Sequence, residues 1–218
     1  MINYIYILPE IILVTSLSAI IIIDLFLAPN RKYISYYLIQ LLLFSSIYFI
    51  YTNLQYLSSN TSTIYETNNF SNFFKMFILL SLVIIFYYTY EFLRKFNLYK
   101  TEYFIISLFG TLGMMIMISS NHLLLLYLGI ELLSLSLYSV IAFNKNSIYS
   151  SEAAVKYYIL GAMSSGFLLF GISLIYGLTG SLLYDEIYQQ INLLNLSNID
   201  QDVRVLGLVF SLTFIFIS

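Results

Sequence analysis

Seven apolar runs divide the sequence, and they restrict its fold more than any other feature. A helix needs about 17 to 25 apolar residues to cross a bilayer core of about 30 Å. Six runs meet this requirement and the last is shorter. The predicted spans are residues 7–27, 33–51, 73–90, 103–119, 122–143, 153–178 and 203–218. We therefore expect an all-α, polytopic transmembrane helix bundle, with residues 1–218 forming one transmembrane domain.

The composition supports a membrane protein and excludes several kinds of site. Hydrophobic residues make up 60% of the 218 positions and charged residues only 9%. Without Cys there are no disulfides, iron–sulfur clusters or Cys-based zinc sites, and a single His builds no metal or haem cage. A net charge of −2 with no basic patch argues against nucleic-acid binding. The many Ile, Tyr, Phe, Asn and Lys residues suggest an AT-rich, organellar or endosymbiont genome.

Charges in the connections between spans predict the orientation in the membrane. Alternate connections carry the basic residues Arg31, Lys32, Arg94, Lys95, Lys100 and Lys145. The others carry mostly acids, namely Glu66, Asp185, Glu186, Asp200 and Asp202. Basic loops stay on the side of synthesis, so we expect the N-terminus on the opposite, outer side. Lys75 and Arg204 break the pattern, and we expect each to reach the head groups from a helix end.

Two connections have features of their own. Residues 53–72 are rich in Ser, Thr and Asn, which predicts a loop. Residues 181–195 place Leu183, Ile187, Ile191 and Leu194 opposite Asp185, Gln189 and Asn192. This spacing predicts a short amphipathic helix along the outer surface.

Glu131 is the strongest candidate for function, because it lies about nine residues into an apolar span. A charge at mid-membrane costs about 2.5 to 3.5 kcal/mol on insertion scales and usually marks an ion or proton pathway. Ser134 and Tyr138 share its helical face and extend a polar path along the span. The alternative is a neutral carboxyl group that only joins two helices by hydrogen bonds.

Lys156 is the second charge within a span, but it lies nearer the basic side. It either takes part in proton transfer with Glu131 or reaches the membrane surface through its four-carbon stem. The predicted spans place the two residues about 6 to 13 Å apart along the membrane normal. We therefore expect water to link them if no direct ion pair forms.

Small residues in the sixth span predict a close helix contact. Gly161, Ser165 and Gly166 belong to this group, and Gly110 and Gly113 in the fourth span have the same interpretation. Small side chains let neighbouring helices approach and leave room for water.

Three more polar residues lie at the ends of spans. For Glu10 and Asp24 we favour an interfacial or assembly role, satisfied by head groups or by nearby Arg31 and Lys32. For His122, which opens the fifth span, we favour helix capping or a head-group contact over membership of the proton path.

Four stretches of the sequence closely resemble one protein family. They are LPEIILVTSLSAIIIIDLF, FSNFFKMFILLSL, SSNHLLLLYLGIELLSLSLY and SEAAVKYYILGAMSSGFLLFGISLIYGLTGSL. They are similar to NADH dehydrogenase subunit 2, the antiporter-like proton-pumping subunit of respiratory complex I, known as subunit N in bacteria. The resemblance runs nearly from end to end.

The resemblance implies a fold and roles for two residues. Family members have about fourteen helices, including two inverted five-helix repeats with broken helices and a midplane chain of charges. Residues 1–90 correspond to three N-terminal helices and residues 103–218 to an incomplete first repeat. Glu131 matches the glutamate of the fifth helix that modulates the key lysine. Lys156 matches the lysine of the sixth helix that follows EAA.

The resemblance also implies a molecular setting. The flavin, iron–sulfur clusters and ubiquinone belong to other subunits, so we expect no cofactor on this chain. The expected partners are neighbouring antiporter-like and small membrane-arm subunits together with membrane lipids. The predicted function is redox-driven proton translocation by NADH:ubiquinone oxidoreductase in the mitochondrial inner membrane, with the N-terminus facing the intermembrane space.

One departure from the family pattern affects this interpretation. Family members continue into a broken seventh helix with an essential lysine, which would fall near Ser218. We expect this chain to be the N-terminal half of a split subunit that a second polypeptide completes. The alternatives are a degenerate structural subunit that no longer pumps, a cation/proton antiporter subunit of the related family and, more remotely, a generic channel.

Overall fold

A mainly helical fold is seen in the computed structural model, which describes residues 7–27, 33–54, 60–61, 64–96, 99–194 and 201–217. The helices are α1 (Leu8–Phe26), α2 (Tyr33–Leu54), α3 (Asn69–Lys95), α4 (Thr101–Ile118), α5 (Leu123–Ile141), α6 (Ile148–Thr179), α7 (Tyr184–Leu194) and α8 (Gln201–Ile217). Several residues of the sequence prediction lie outside this description: Arg31, Lys32, Asp200 and Ser218, and the side chains of Asp202 and Arg204.

Helices α1 to α6 are each long and apolar enough to cross a membrane. Helix α8 holds a shorter apolar stretch, Leu206–Phe216. In hydrocarbon every backbone N–H and C=O must find a partner within the protein, which a helix provides. The prediction of a helical membrane bundle is confirmed, with six full spans among the described residues. The seventh predicted span corresponds to α8, which is too short to count as a full span.

Two helices begin earlier than their hydropathy predicts, because polar caps extend them. Asn68 and Ser71 form a reciprocal capping box that starts α3 at Asn69, and Ser147 accepts a hydrogen bond from the Ser150 N–H at the start of α6. Sequence reasoning placed these starts at residues 73 and 153. Cap side chains are polar, so a search for apolar runs leaves out the first turn.

The predicted loop 53–72 contains a small hairpin on one end of the bundle. Strands β1 (Asn60–Thr61) and β2 (Glu66–Thr67) pair antiparallel. The segment around β2 then joins the turn between α4 and α5, because the Glu66 N–H donates to the Ser119 carbonyl at 2.9 Å and the Asn121 N–H donates to the Ile64 carbonyl at 3.0 Å.

The apolar core lies among α1, α2, α3 and α4. Its fully buried side chains include Leu13, Leu43, Leu79, Phe86 and Leu108. Helix α5 packs on α4, and α6 connects α5 to α8. In α5 only Gly129 and Ser136 are buried among the described residues. The helix that carries Glu131 therefore lies at the periphery of the bundle.

Candidate functional site

Glu131 lies near the middle of α5, where a glycine contact fixes the helix against α4. A Cβ atom at Gly113 would lie 2.6 Å from the Gly129 carbonyl oxygen, and one at Gly129 would lie 2.9 Å from the Gly113 carbonyl oxygen. Only glycine at both positions permits this close approach of the two helices. Gly129 lies two residues before Glu131. The Glu131 side chain is half-buried and has no hydrogen-bond or ion-pair partner within the described part of the chain.

Lys156 does not contact Glu131. Its Nζ atom lies 2.5 Å from Oε1 of Glu152, one turn earlier in α6, and 70% of its side chain is exposed. Glu131 lies ten residues before the end of α5, and Lys156 lies eight residues after the start of α6. Counted from the α5–α6 connection, the two positions differ by about 3 Å along the helices.

The predicted polar path borders a cavity between α5, α6 and α8. The cavity has a volume of about 530 Å³, and its lining includes Ser134, Tyr138, Gly161, Ser164 and Ser165. Three serines and two tyrosines give an otherwise apolar lining polar groups that can bind water. The structure thus brings Ser134 and Tyr138 together with Gly161 and Ser165, one helical turn from Glu131.

Gly161 allows Tyr138 to lie against α6. A Cβ atom at position 161 would lie 1.8 Å from the Tyr138 hydroxyl oxygen, which is far inside any allowed contact. Two aromatic neighbours pack against the Tyr138 ring in T-shaped arrangements. The ring centroid of Tyr138 lies 5.2 Å from that of Tyr157 and 5.7 Å from that of Tyr158. The glycine therefore sets where the tyrosine hydroxyl lies in the cavity.

Gly166 does not make the close contact that sequence reasoning expects. It is exposed, and no heavy atom of the described structure lies within 4 Å of a Cβ placed there. Gly171 makes this contact instead, since its Cβ position would be 2.9 Å from the Ser211 carbonyl oxygen of α8. Among the described residues, Gly166 therefore has no packing neighbour.

His122 caps the start of α5. Its Nδ1 atom accepts a hydrogen bond from the Leu124 N–H at 3.2 Å. The same segment is joined to the connection between α6 and α7, because the Leu123 N–H donates to the Leu182 carbonyl at 3.0 Å. This is the capping contact favoured from the sequence, and His122 is not among the residues that line the cavity.

The expectation that Lys75 reaches the head groups is wrong. Its side chain is completely buried, and Nζ lies 2.7 Å from Oε1 of Glu10. Tyr65 completes the cluster: its hydroxyl donates to Glu10 Oε1 at 2.6 Å and accepts from Lys75 Nζ at 2.9 Å. Burial, together with the nearby Glu10 carboxylate, raises the pKa of the Tyr65 phenol above its usual value, so the phenol stays protonated and donates.

This cluster also corrects the surroundings predicted for Glu10, which binds Lys75 and Tyr65 rather than head groups or basic loop residues. A sequence signal was present, because Lys75 follows an apolar pair and precedes a long apolar run. Its position close to the start of the predicted span favoured the surface interpretation. Asp24, at the other end of α1, accepts a hydrogen bond from the Ser35 hydroxyl of α2 at 2.6 Å.

No group of three or more His, Asp or Glu side chains that suits a metal ion is found among the described residues. The charged groups instead form separate centres: Glu131 on α5, the Glu152–Lys156 pair on α6, and the buried Glu10–Lys75 pair. Isolated carboxylates and amines inside a helical bundle are suited to accepting and releasing protons or to holding helices together.

Comparison with known proteins identifies relatives of the chain. Residues 120–218 match the family described as NADH:quinone oxidoreductase/Mrp antiporter, TM. NADH-quinone oxidoreductase subunit N of Ruthia magnifica subsp. Calyptogena magnifica is 40% identical over 206 residues, which cover 93% of this chain and 42% of that protein. Subunit N of Thioalkalivibrio sulfidiphilus is 43% identical over 188 residues, covering 85% and 39% of the two chains.

Solved structures share the fold. A chain of respiratory complex I from Thermus thermophilus with bound aureothin superposes with a TM-score of 0.65 at 22% identity, covering 95% of this chain and 49% of that one. A chain of the archaeal membrane-bound sulfane sulfur reductase gives 0.72 at 17% identity, covering 98% and 43%. The chain spans about two fifths of the length of the curated relatives it matches. Over that part, the chain is similar in sequence to subunit N of NADH-quinone oxidoreductase and shares its fold with chains of respiratory membrane complexes.

Proposed function

We propose that the chain forms part of a proton-translocating subunit in the membrane arm of a respiratory NADH:quinone oxidoreductase. The observation that carries this proposal is the position of Glu131, an acid at the middle of an apolar helix and one turn from a cavity that serine and tyrosine side chains help to line. Ionisable groups inside apolar spans usually mark an ion or proton pathway.

Glu131 and Lys156 have different roles in this proposal. Glu131 takes up and releases a proton, and its charge alters the proton affinity of lysines on neighbouring segments. Lys156 lies at almost the same depth but on another face of α6, where it binds Glu152. Proton exchange between Glu131 and Lys156 therefore runs through water in the cavity lined by Ser134 and Tyr138 rather than through direct contact.

The energy for transport comes from outside the chain. Moving a proton against the membrane potential requires about 2.3 kcal/mol per 100 mV. The proposed complex obtains this energy from electron transfer through flavin, iron–sulfur clusters and quinone on other subunits. The partners of the chain are then neighbouring membrane-arm subunits, and it contributes charged groups that respond to their rearrangement.

The setting that we propose is the mitochondrial inner membrane, with the N-terminus on the intermembrane-space side. The many Ile, Tyr, Phe and Asn residues, which are typical of an AT-rich coding sequence, and the alternation of basic and acidic connections support it. The chain covers about two fifths of the length of the curated relatives, so the proposal concerns that part of the subunit.

Replacement of Glu131 by glutamine tests the proton role. The variant keeps the size and hydrogen bonding of the side chain but removes its charge. We expect Glu131→Gln to lower the number of protons moved per NADH in sealed vesicles while the complex still assembles. Glu102→Gln is the matched control, since Glu102 is an exposed acid in the first turn of α4. Unchanged proton translocation in Glu131→Gln would refute the proposal.

A cation/proton antiporter is the second candidate, because the matching family covers both kinds of protein by its description. The two functions share the fold and differ in the source of energy. Purification of the protein with its partners decides between them. Co-purification of hydrophilic NADH-oxidising subunits supports the NADH:quinone oxidoreductase. Sodium-dependent proton exchange without such subunits supports the antiporter.

A further inference from the structure

A long groove runs between α2 and α3 on the outside of the bundle. Its volume is about 650 Å³, and two rows of side chains spaced four residues apart face each other across it. Tyr36, Gln40 and Phe44 form the α2 row, and Val83, Tyr87 and Glu91 form the α3 row. Phe44 and Tyr87 are more than half exposed although they belong to apolar spans. The groove therefore opens toward the membrane.

The groove is polar at one end and apolar at the other. At the polar end Tyr36 stacks on Tyr90 with ring centroids 4.2 Å apart, and Gln40 Nε2 donates to the Tyr36 hydroxyl at 3.1 Å. Phe44 and Val83 form the apolar end. From Tyr36 to Phe44 the α2 row rises about 12 Å, which is somewhat less than half of a bilayer core of about 30 Å. The groove thus fits within one leaflet.

The charges beyond the polar end favour an anionic group. Arg94 and Lys95 follow Glu91 by three and four residues, close the last turn of α3, and are exposed. Glu91 lines the groove, and the two cations lie just beyond it in the last turn of α3, so positive charges outnumber the carboxylate at this end. Lys and Arg at this level of a membrane attract phosphate-bearing head groups.

We propose that the α2–α3 groove binds a phospholipid, with one acyl chain between the two rows and its phosphate at Arg94 and Lys95. The polarity gradient and the cations at the mouth both fit one lipid of the leaflet on that side. A transmembrane helix packed against the two rows is the alternative occupant, and a cross-link to another polypeptide would reveal it. This inference requires membrane insertion only and is independent of proton translocation.

Photolabelling of the assembled complex tests the proposal. The probe is a phosphatidylglycerol with a diazirine at the end of one acyl chain, present in trace amounts in phosphatidylcholine vesicles that contain the complex. We expect the label to concentrate on the apolar end of the groove, around Phe44 and Val83. A diazirine diacylglycerol, which lacks the phosphate, should label the same residues at least about threefold less.

Two variants and their controls complete the test. Replacing Arg94 and Lys95 together by glutamine should lower labelling by about threefold or more, whereas Lys145→Gln, another exposed basic position, should not. Val83→Trp should fill the groove and remove the label, whereas Ile85→Trp, an exposed position outside the groove, should not. Equal labelling in all variants, labelling spread evenly around the bundle, or a cross-link from this groove to another polypeptide would overturn the proposal.

Discussion

Lys75 Nζ lies 2.7 Å from Glu10 Oε1, and this fully enclosed ion pair fastens α3 to α1. The Tyr65 hydroxyl bonds to both partners and thereby attaches the hairpin segment to the same point. One charged cluster therefore joins α1 to two segments, the hairpin and α3, that lie more than 50 residues later in the sequence. Such a cluster holds the arrangement only while all of its members are present.

Breaking this ion pair should destabilise the bundle strongly. Lys75→Met leaves the Glu10 carboxylate buried without its cation, which costs about 3 to 5 kcal/mol in comparable pairs. We expect much less assembled complex on native gels. The double variant Glu10→Leu, Lys75→Met removes both charges and should recover part of the loss. Lys145→Gln serves as a surface control, and equal assembly of all variants would show that the pair does not hold α1 to α3.

Gly161→Ala should displace the Tyr138 ring and reduce proton translocation without preventing assembly. The new methyl group would overlap the hydroxyl, so the ring must leave its position in the cavity. Gly166→Ala is the matched control in the same helix, because nothing lies within 4 Å of its Cβ position. Combining Gly161→Ala with Tyr138→Phe should cost no more activity than the larger single effect. If the two substitutions lowered proton translocation additively, the result would contradict a contact between Gly161 and Tyr138.

Gly113→Ala should weaken the contact between α4 and α5. Its Cβ would meet the Gly129 carbonyl at 2.6 Å and the Leu133 nitrogen at 2.9 Å, and backbone atoms cannot rotate away. Overpacking of this kind costs about 1 to 3 kcal/mol. The measurement is the fraction of complex that survives heating in detergent. Gly177→Ala, which has open space around it, should survive at least as well as the unmodified protein, because alanine favours a helix by about 1 kcal/mol.

His122 should tolerate asparagine better than alanine. Alanine removes the acceptor of the Leu124 N–H and costs about 1 kcal/mol, whereas asparagine is a good cap. Asparagine carries no titratable proton in the physiological range. Full proton translocation in His122→Asn, with lower stability in His122→Ala, would assign the residue to capping. Loss of translocation in both variants would assign it to the proton path.

The helices were predictable because hydropathy alone determines which segments can cross a bilayer, and the glutamate at the centre of α5 was evident for the same reason. Pairings between spans were not predictable. Lys75 lies near a helix end, and sequence spacing gives no information on whether Glu10 on another helix faces it. The hairpin was missed because its strands are two residues each, too short for any periodic pattern.

The small residues of α6 show the same limit. Gly161 and Gly166 belong to one cluster in the sequence, yet they lie about 140° apart around the helix. One meets Tyr138 and the other faces open space. The sequence identified the cluster of small residues in α6. Only the orientation of the helix shows that Gly161 makes a contact and that Gly166 is exposed. Lys156 is a similar case, since it lies at nearly the depth of Glu131 and turns to another face.

The thin cover over α5 has a consequence for the surroundings of this acid. Only Gly129 and Ser136 of α5 are enclosed by the described part of the chain, so most of the helix surface is left for another molecule to cover. Whatever packs there lies against the helix that carries Glu131. The chemistry of that covering surface would therefore decide whether the Glu131 side chain meets polar groups or hydrocarbon.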